Sequence, residues 1–572
     1  MGTSLEIWPG KALVLGARQR AENALSSGWL LGGVATVRFV AIIGPRSQSS
    51  LGIPLCSGKT LARTGLQTHV QPRLEVDKGL MSLERWLECI FDQGFGVIFG
   101  QWVGNDGCPL VSASSEQNAP LPTVVFRSLD VLLNKEPSLP ALKGDAAAEQ
   151  SLQRAIHAYT ARWLPLVPGA CSFGHDQLED MVRQYWRIAR RDMLKVINRV
   201  CYRSVLSLLL FGLTAVPTGI SEEEELDGIT GDVCAQTALK QIQQLRGRLR
   251  GSQFDGSRMP VRTTVTEGRS PDSRPTPEWI DFESRAYWAT VIWDTSAAVT
   301  SNLKSVITTG LRGACSEPAW ILSRSFLSGS FQRKSTEWLQ HGFQVGDDTA
   351  AEIIRATSVC RLYTWRTIAS FKEGLGEGAH ENSLQMAWEA VLDVIRLFNK
   401  TIRPLLDACE GNLHFLSQTN RFSWYETLLH YYLGIQILID AVEAVDRSDL
   451  LSQLSEMMQD VEQRVLNTIV FGLNNTYQIR GHGVLSCADG PKASVLVISA
   501  SLIGVDPYPH YVVLAVQLLE KSITRKYLQG GMEQDTYVHL LSTLLRVMGA
   551  VPRMSSFACN LRLGLQHTLE RI

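Results

Sequence analysis

The chain has 572 residues, 45% of them hydrophobic and 19% charged, and a net charge of −1. That length can bury a substantial core, as several domains or as one large domain with appendages, and the composition excludes wholesale disorder. Near-neutrality excludes a chain-wide nucleic-acid surface and leaves room only for a small basic module.

Residues 1–80 are rich in Gly, Ser and Arg and contain one convincing apolar run, Val37–Ile43. Nine Lys/Arg against four Asp/Glu make this part mildly basic without a cluster that would track a phosphate backbone, so a weakly patterned, solvated segment is expected. GIPLCSGKT, residues 52–60, looks like a phosphate-binding loop after a strand. Such a loop needs G-x-x-x-x-G-K-[ST], so that its N–H groups converge on one phosphate while the lysine reaches the next. Here five residues rather than four separate Gly52 from Gly58, and Gly65 and Pro72 interrupt the helix that should follow, so a plain turn is expected.

In residues 81–148, LERWLECIF has helical spacing, GFGVIFGQWVG suits a strand or a bend, and NDGCPLVSASSEQNAPLPT reads as loop. Gly94, Gly96 and Gly100 give G-x-G-x-x-x-G, one residue too long for the dinucleotide fingerprint.

Residues 149–572 read as an all-α domain. LQRAIHAYTARWL sets Leu152, Ile156, Tyr159 and Trp163 on one stripe. DQLEDMVRQYWRIARRDMLKVINRVCYRSVLSLLLFGL reads as one helix with acids at its start and an apolar end that must be packed inside. ISEEEELDGITGDVCAQTALKQIQQLRGRLRG reads as another, its glutamates a solvated helix start rather than a metal site. A surface loop is expected over 252–277, followed by a helix opened by a cap, an N1 proline and an early acid, Thr276-Pro277-Glu278. In RFSWYETLLHYYLGIQILIDAVEAV, Phe422, Tyr425, Leu428, Leu429, Tyr432, Ile435, Ile439 and Val442 make a broad apolar face with His430 inside it, which favours a hydrogen-bonded core histidine. A second loop is expected over 478–494. No repeat of fixed period is present.

The eleven cysteines lie no closer than nineteen residues apart, a spacing that excludes Cys-x-x-Cys knuckles and suits buried free thiols in a reducing compartment. With no secretory signal pattern, and a longest apolar stretch (from Ser204) of about thirteen residues, too short for a bilayer, a soluble intracellular protein without membrane contact is expected.

No nucleophile elbow, zinc-protease motif or Cys/His grouping is present, so no catalytic, cofactor-binding or metal-binding residue is assigned. GDDTAAE places Asp347, Asp348 and Glu352 within reach of one helix face, the acids that magnesium-dependent class I terpene synthases use. The second metal motif those enzymes need is absent, which favours Asp347 and Asp348 as the start of the helix TAAEIIRATSVCRLYTW.

From about His157 to Leu545 the chain resembles the regulatory region, or middle homology region, of fungal zinc-cluster transcription factors. HAYTARWLPLV, with Tyr159, Trp163, Pro165 and Leu166, looks like the family's opening element, and SVLSLLLFGLTAV is similar to the apolar helix after it. ESRAYWATVIWDTSAAVTSNL, with Trp288, Trp293 and Asp294, resembles the central element, although Thr295 stands where the family continues with Arg. VDPYPHYVVLAVQLLEKSI, with Pro507 and Pro509, is like the C-terminal part. The resemblance implies a nuclear regulator of transcription with an all-α, multi-helical regulatory domain that modulates activation, forms homodimers and responds to a small-molecule effector. It also implies contact with the transcription machinery, and a role in a secondary-metabolite pathway. The family reads DNA through six cysteines holding zinc; Cys56, Cys89 and Cys108 cannot form that cluster, so DNA binding is expected to be lost, supplied by a DNA-binding partner or omitted from this gene model. The alternatives are a magnesium-dependent terpene synthase-like enzyme and a non-nuclear small-molecule-binding helical protein.

Overall fold

The computed structural model describes residues 83–96, 121–134, 145–167, 174–248, 276–301, 303–307, 318–487, 490–552 and 556–572. The expected irregular segment 1–80 with its Gly-Lys-Thr turn, and residues 252–275 of the expected surface loop, lie outside these.

The chain is an all-α, multi-helical array. α1 (83–96) is followed by α2 (Pro122–Asn134), α3 (Asp145–Thr160), α4 (His175–Val196), α5 (Tyr202–Gly212), the short α6 (Glu222–Leu226) and α7 (Gly231–Arg248). Next come α8 (Pro277–Thr300), α9 (Pro318–Ser325), α10 (Gln332–His341), α11 (Asp347–Glu377), α12 (Glu381–Thr401) and α13 (Arg403–Glu410). α14 (Gln418–Ala444), α15 (Ser448–Leu451) and α16 (Ser455–Asn474) lead to strands β1 (Thr476–Cys487) and β2 (Gly490–Ser501), then α17 (Pro509–Leu528), α18 (Gln534–Ala550) and α19 (Ser556–Arg571).

α14 lies at the centre because its apolar face is broad enough to take α11, α16 and α17 as neighbours. Every residue from Phe422 to Leu438 is buried, His430 among them. α11 in turn packs on α8 and α12. Trp288, Trp365 and Trp388 are fully enclosed on these helices, as is Trp320 of α9 beside Trp288, and an indole of roughly 200 Å² removed from water is worth on the order of 5 kcal/mol. The expected cap forms at α8, where Thr276 Oγ1 accepts from Trp279 N at 3.2 Å with Pro277 in the first turn. Asp347 and Asp348 open α11 as expected.

Two helices expected to be continuous are broken. α4 stops at Val196 and α5 starts at Tyr202, because α5 is buried on all sides whereas α4 carries one exposed face. Both released ends are satisfied by distant side chains: Gln241 donates to the carbonyls of Val196 and Ile197 at 3.2 and 2.8 Å, and the Asp130 carboxylate accepts from Tyr202 N and Arg203 N at 2.7 and 3.1 Å. The glutamate-led helix likewise splits into α6 and α7. There the Arg190 guanidinium donates to the carbonyls of Glu224, Glu225 and Ile229, and a Cβ on Gly228 would come within 3.0 Å of Arg190 Cζ.

Two further expectations are corrected. The segment expected as a loop over 478–494 contributes to an antiparallel hairpin, registered from Thr476↔Ser501 to Cys487↔Gly490. Tyr477 and Ile479 point inward while Gln478 and Arg480 are exposed, and Ile498 faces Ile479 across the pair. Gly94 and Gly96, expected in a strand or bend, are helical: Phe91–Phe95 form one π-turn within α1, packed against β1. Gly94 is small there because a Cβ would come within 3.0 Å of Ile479 Cδ1. Among the described residues, no helix is long and apolar enough to cross a membrane.

Candidate functional site

The sequence elements at the two ends of the helical region meet. After Thr160 the chain tightens into a 3₁₀ turn, Ala161–Leu166, with Pro165 inside it. Tyr159 Oη and Arg162 Nη2 donate to the Pro507 carbonyl at 2.7 and 2.9 Å, and Trp163 Nε1 donates to the Gly504 carbonyl at 3.0 Å. A proline carbonyl before a helix has no intrahelical donor, so these side chains fix the entry into α17.

Behind this contact lies a buried polar centre. Asp506 is fully enclosed and accepts from Tyr508 N at 2.7 Å and from Tyr425 Oη at 3.2 Å. Burial nonetheless pushes its carboxyl up to about 6, against those hydrogen bonds and the positive charge of Arg162. Glu426 is pushed up to about 8, again by burial, with Arg361 opposing and Asp506 adding to the rise. His430 is driven well below its ordinary value, first by burial and then by the charge of Arg361. Arg361 Nη1 bonds His430 Nδ1, and because a guanidinium only donates, the neutral imidazole carries its proton on Nε2. That Nε2 has no hydrogen-bond partner, and Trp365 Nε1 donates to the His430 carbonyl at 2.8 Å. His430 is thus the hydrogen-bonded core histidine expected of it.

Beside the centre is a cavity of about 60 Å³ between α3, the segment after α5, α17 and the start of α19. Val182, Pro217, Val513, Val551 and Phe557 make its walls largely apolar. Its polar side chains are Tyr159, Arg162, Thr214 and His510. Arg162 is 8% exposed, its guanidinium stacked on the rings of Tyr159 and Trp163 at 4.1 and 4.4 Å, and its Nε has no hydrogen-bond partner. His510 is held neutral, pushed down to about 3 by burial and then by Arg162. Glu426 and His430 do not line the cavity, so the raised carboxyl has no access from it.

The other residues singled out from sequence lie elsewhere. Asp347 accepts from Ser417 N at 2.8 Å and Asn420 Nδ2 at 2.7 Å, tying α11 to the start of α14, while Glu352 pairs with Lys334 at 2.6 Å. Among the described residues, no group of three or more His, Cys, Asp or Glu is placed to hold a metal ion. Glu224 of the glutamate run forms a bidentate pair with Arg187 at 2.5 and 2.8 Å. Trp288 and Trp293 are core residues, and Asp294 accepts from Val306 N at 2.6 Å and Ile307 N at 3.1 Å, pinning the chain after α8. Cys89 and Cys559 are half-buried, and Cys201, Cys234, Cys360 and Cys409 are buried, with no disulfide among these six.

Sequence reasoning passed over Arg162, Asp506 and His510. The available signal was a lone cation between aromatics, YTARW, and an acid and a histidine within the proline-spaced DPYPHY. No family model, curated protein or solved structure matches the chain.

Proposed function

We propose that the chain is a regulator of transcription whose helical body works as a regulatory domain of the fungal zinc-cluster type, with DNA reached through a partner protein. The observation that carries this reading is the junction at Pro507. The opening element of the resemblance, with Tyr159 and Trp163, and its C-terminal part, with Pro507 and Pro509, are three hundred and more residues apart yet bonded side chain to backbone. The central element, with Trp288 and Trp293, is likewise built into the core on α8. Two of the resembling elements thus meet in one buried contact, which supports the reading.

On this reading the body acts by protein–protein contact in the nucleus, as a homodimer or with the transcription machinery, and the cavity beside Arg162 receives an effector. The cavity equally favours a second reading, a small-molecule-binding protein outside the nucleus. Imaging a fluorescently tagged full chain in its native host separates the two. Nuclear accumulation, with a defined set of transcripts altered when the gene is deleted, supports the regulator. A purely cytosolic signal with unchanged transcripts rejects it.

A further inference from the structure

We infer that the cavity bounded by Arg162 and His510 is a binding site for a short-chain aliphatic carboxylate, its head on the Arg162 guanidinium and its tail among Val182, Val513 and Phe557. The inference rests on the effector reading above and names the chemistry of the effector.

Charge selects an anion. Arginine does not lose its proton in a protein, and a buried guanidinium is ordinarily matched by a carboxylate. Arg162 has no carboxylate in direct hydrogen-bond contact among the described residues: its hydrogen bond goes to the neutral Pro507 carbonyl, and Asp506, which spends its oxygens on Tyr508 N and Tyr425 Oη, reaches it only by charge at longer range. The Nε–H is buried without a hydrogen-bond partner and the same side chain lines the cavity, which leaves an unmet donor on a cation only partly compensated by Asp506. A carboxylate bound in the cavity would supply a direct acceptor for the guanidinium and complete its countercharge.

The walls select the rest of the ligand. One cation, a tyrosine hydroxyl, a threonine and a neutral imidazole cannot replace the hydration of a dianion, so inorganic phosphate is disfavoured. The imidazole retains one N–H for a second carboxylate oxygen. The apolar side chains offer a hydrocarbon contact to a tail. The volume of about 60 Å³ is several times what one water needs and less than half of the roughly 150 Å³ that takes benzene, which suits a few methylene groups. Ala215 at the rim is exposed, so entry requires no opening of the core.

The test titrates purified full-length protein with sodium butyrate at constant ionic strength, followed by the fluorescence of the tryptophans, Trp163 being stacked on Arg162. Saturable binding in the roughly millimolar range is expected, with butyramide and inorganic phosphate at least about tenfold weaker. Arg162→Gln should abolish saturation and Arg162→Lys should retain part of it. Ala558→Leu, which fills the cavity while keeping the guanidinium, should also abolish it, with circular dichroism melting showing each variant folded. Butyramide or phosphate binding as tightly as butyrate, a folded Arg162→Gln binding like the parent, or no saturation with butyrate would each overturn the inference. If Arg162→Gln does not fold, Ala558→Leu and butyramide still decide. The assay involves neither nucleus nor promoter. A nuclear chain blind to butyrate rejects only the carboxylate site, and a butyrate-binding chain that stays cytosolic rejects only the regulator.

Discussion

Gly434 on α14 lies so close to the Trp365 indole of α11 that a Cβ added there would sit 2.4 Å from Nε1. The same indole donates to the His430 carbonyl one turn earlier, so the ring cannot retreat without losing a buried hydrogen bond. Gly434→Ala is therefore expected to destabilise the protein by about 1–3 kcal/mol, the usual range for overpacking. Gly376, near the end of α11, has open space around it, and Gly376→Ala should be neutral or stabilising by about 0.5 kcal/mol. Urea midpoints of the two variants check the contrast, and equal shifts would contradict this packing.

Asp130 should be among the least replaceable residues. It is fully buried and serves as the cap that Cys201 does not provide, while also holding Arg203 Nε at 2.8 Å. Asp130→Ala removes the close partner of the buried Arg203 Nε, leaving Glu149 at 3.2 Å from Nη1, and deprives two helix N–H groups of their acceptor, for an expected loss of about 3–5 kcal/mol. Urea unfolding measures it, and a loss below about 1 kcal/mol, a surface-pair value, would contradict the assigned role.

The buried acids make stability depend on pH with a sign opposite to that of a salt-bridged carboxylate. A carboxyl whose folded value is raised binds more protons folded than unfolded, so its contribution is complete below the unfolded value and is lost as pH rises through the folded one. For Glu426 that window runs from its ordinary 4.5 up to about 8, and for Asp506 from 3.8 up to about 6. The neutral histidines, His430 and His510, act in the other direction below their ordinary 6.5. Between about pH 6.5 and 8 the Glu426 contribution stands clear of them. In that interval Glu426→Gln should flatten the fall of unfolding free energy with pH. Urea denaturation at steps across it is the check, and parallel curves for the two proteins would contradict the assignment.

Burial pushes the thiols of Cys360, Cys234 and Cys409 up to about 12 and that of Cys201 up to about 11. Since the thiolate is the nucleophile, alkylation at neutral pH should mark these four only after unfolding. Mass-spectrometric mapping after a brief iodoacetamide pulse reads this directly, and rapid native labelling of Cys360 would contradict its burial.

Helices were legible wherever one apolar face repeated. The α14 stripe gave its position, its breadth gave its many neighbours, and Thr276-Pro277-Glu278 gave the start of α8. Breaks were not legible where the agent is remote in sequence. Nothing near Val196 announces that Asp130 and Gln241 will satisfy the opened ends. The hairpin was missed because β1 buries only Tyr477 and Ile479 before glycines interrupt the alternation, too short a signal against the loop-like Gly and Pro. The cavity was out of reach for the same reason as the breaks. Arg162, Val182, Pro217, His510 and Phe557 come from five separate stretches, and a single arginine in YTARW does not reveal which of them it will meet.

The central claim is that this helical body acts at promoters, and the most direct measurement is chromatin immunoprecipitation of the tagged full chain after formaldehyde cross-linking, which also captures DNA held through a partner. Enrichment at discrete promoters, whose transcripts change when the gene is deleted, is the predicted result. Recovery no higher than an untagged control across the genome would contradict it.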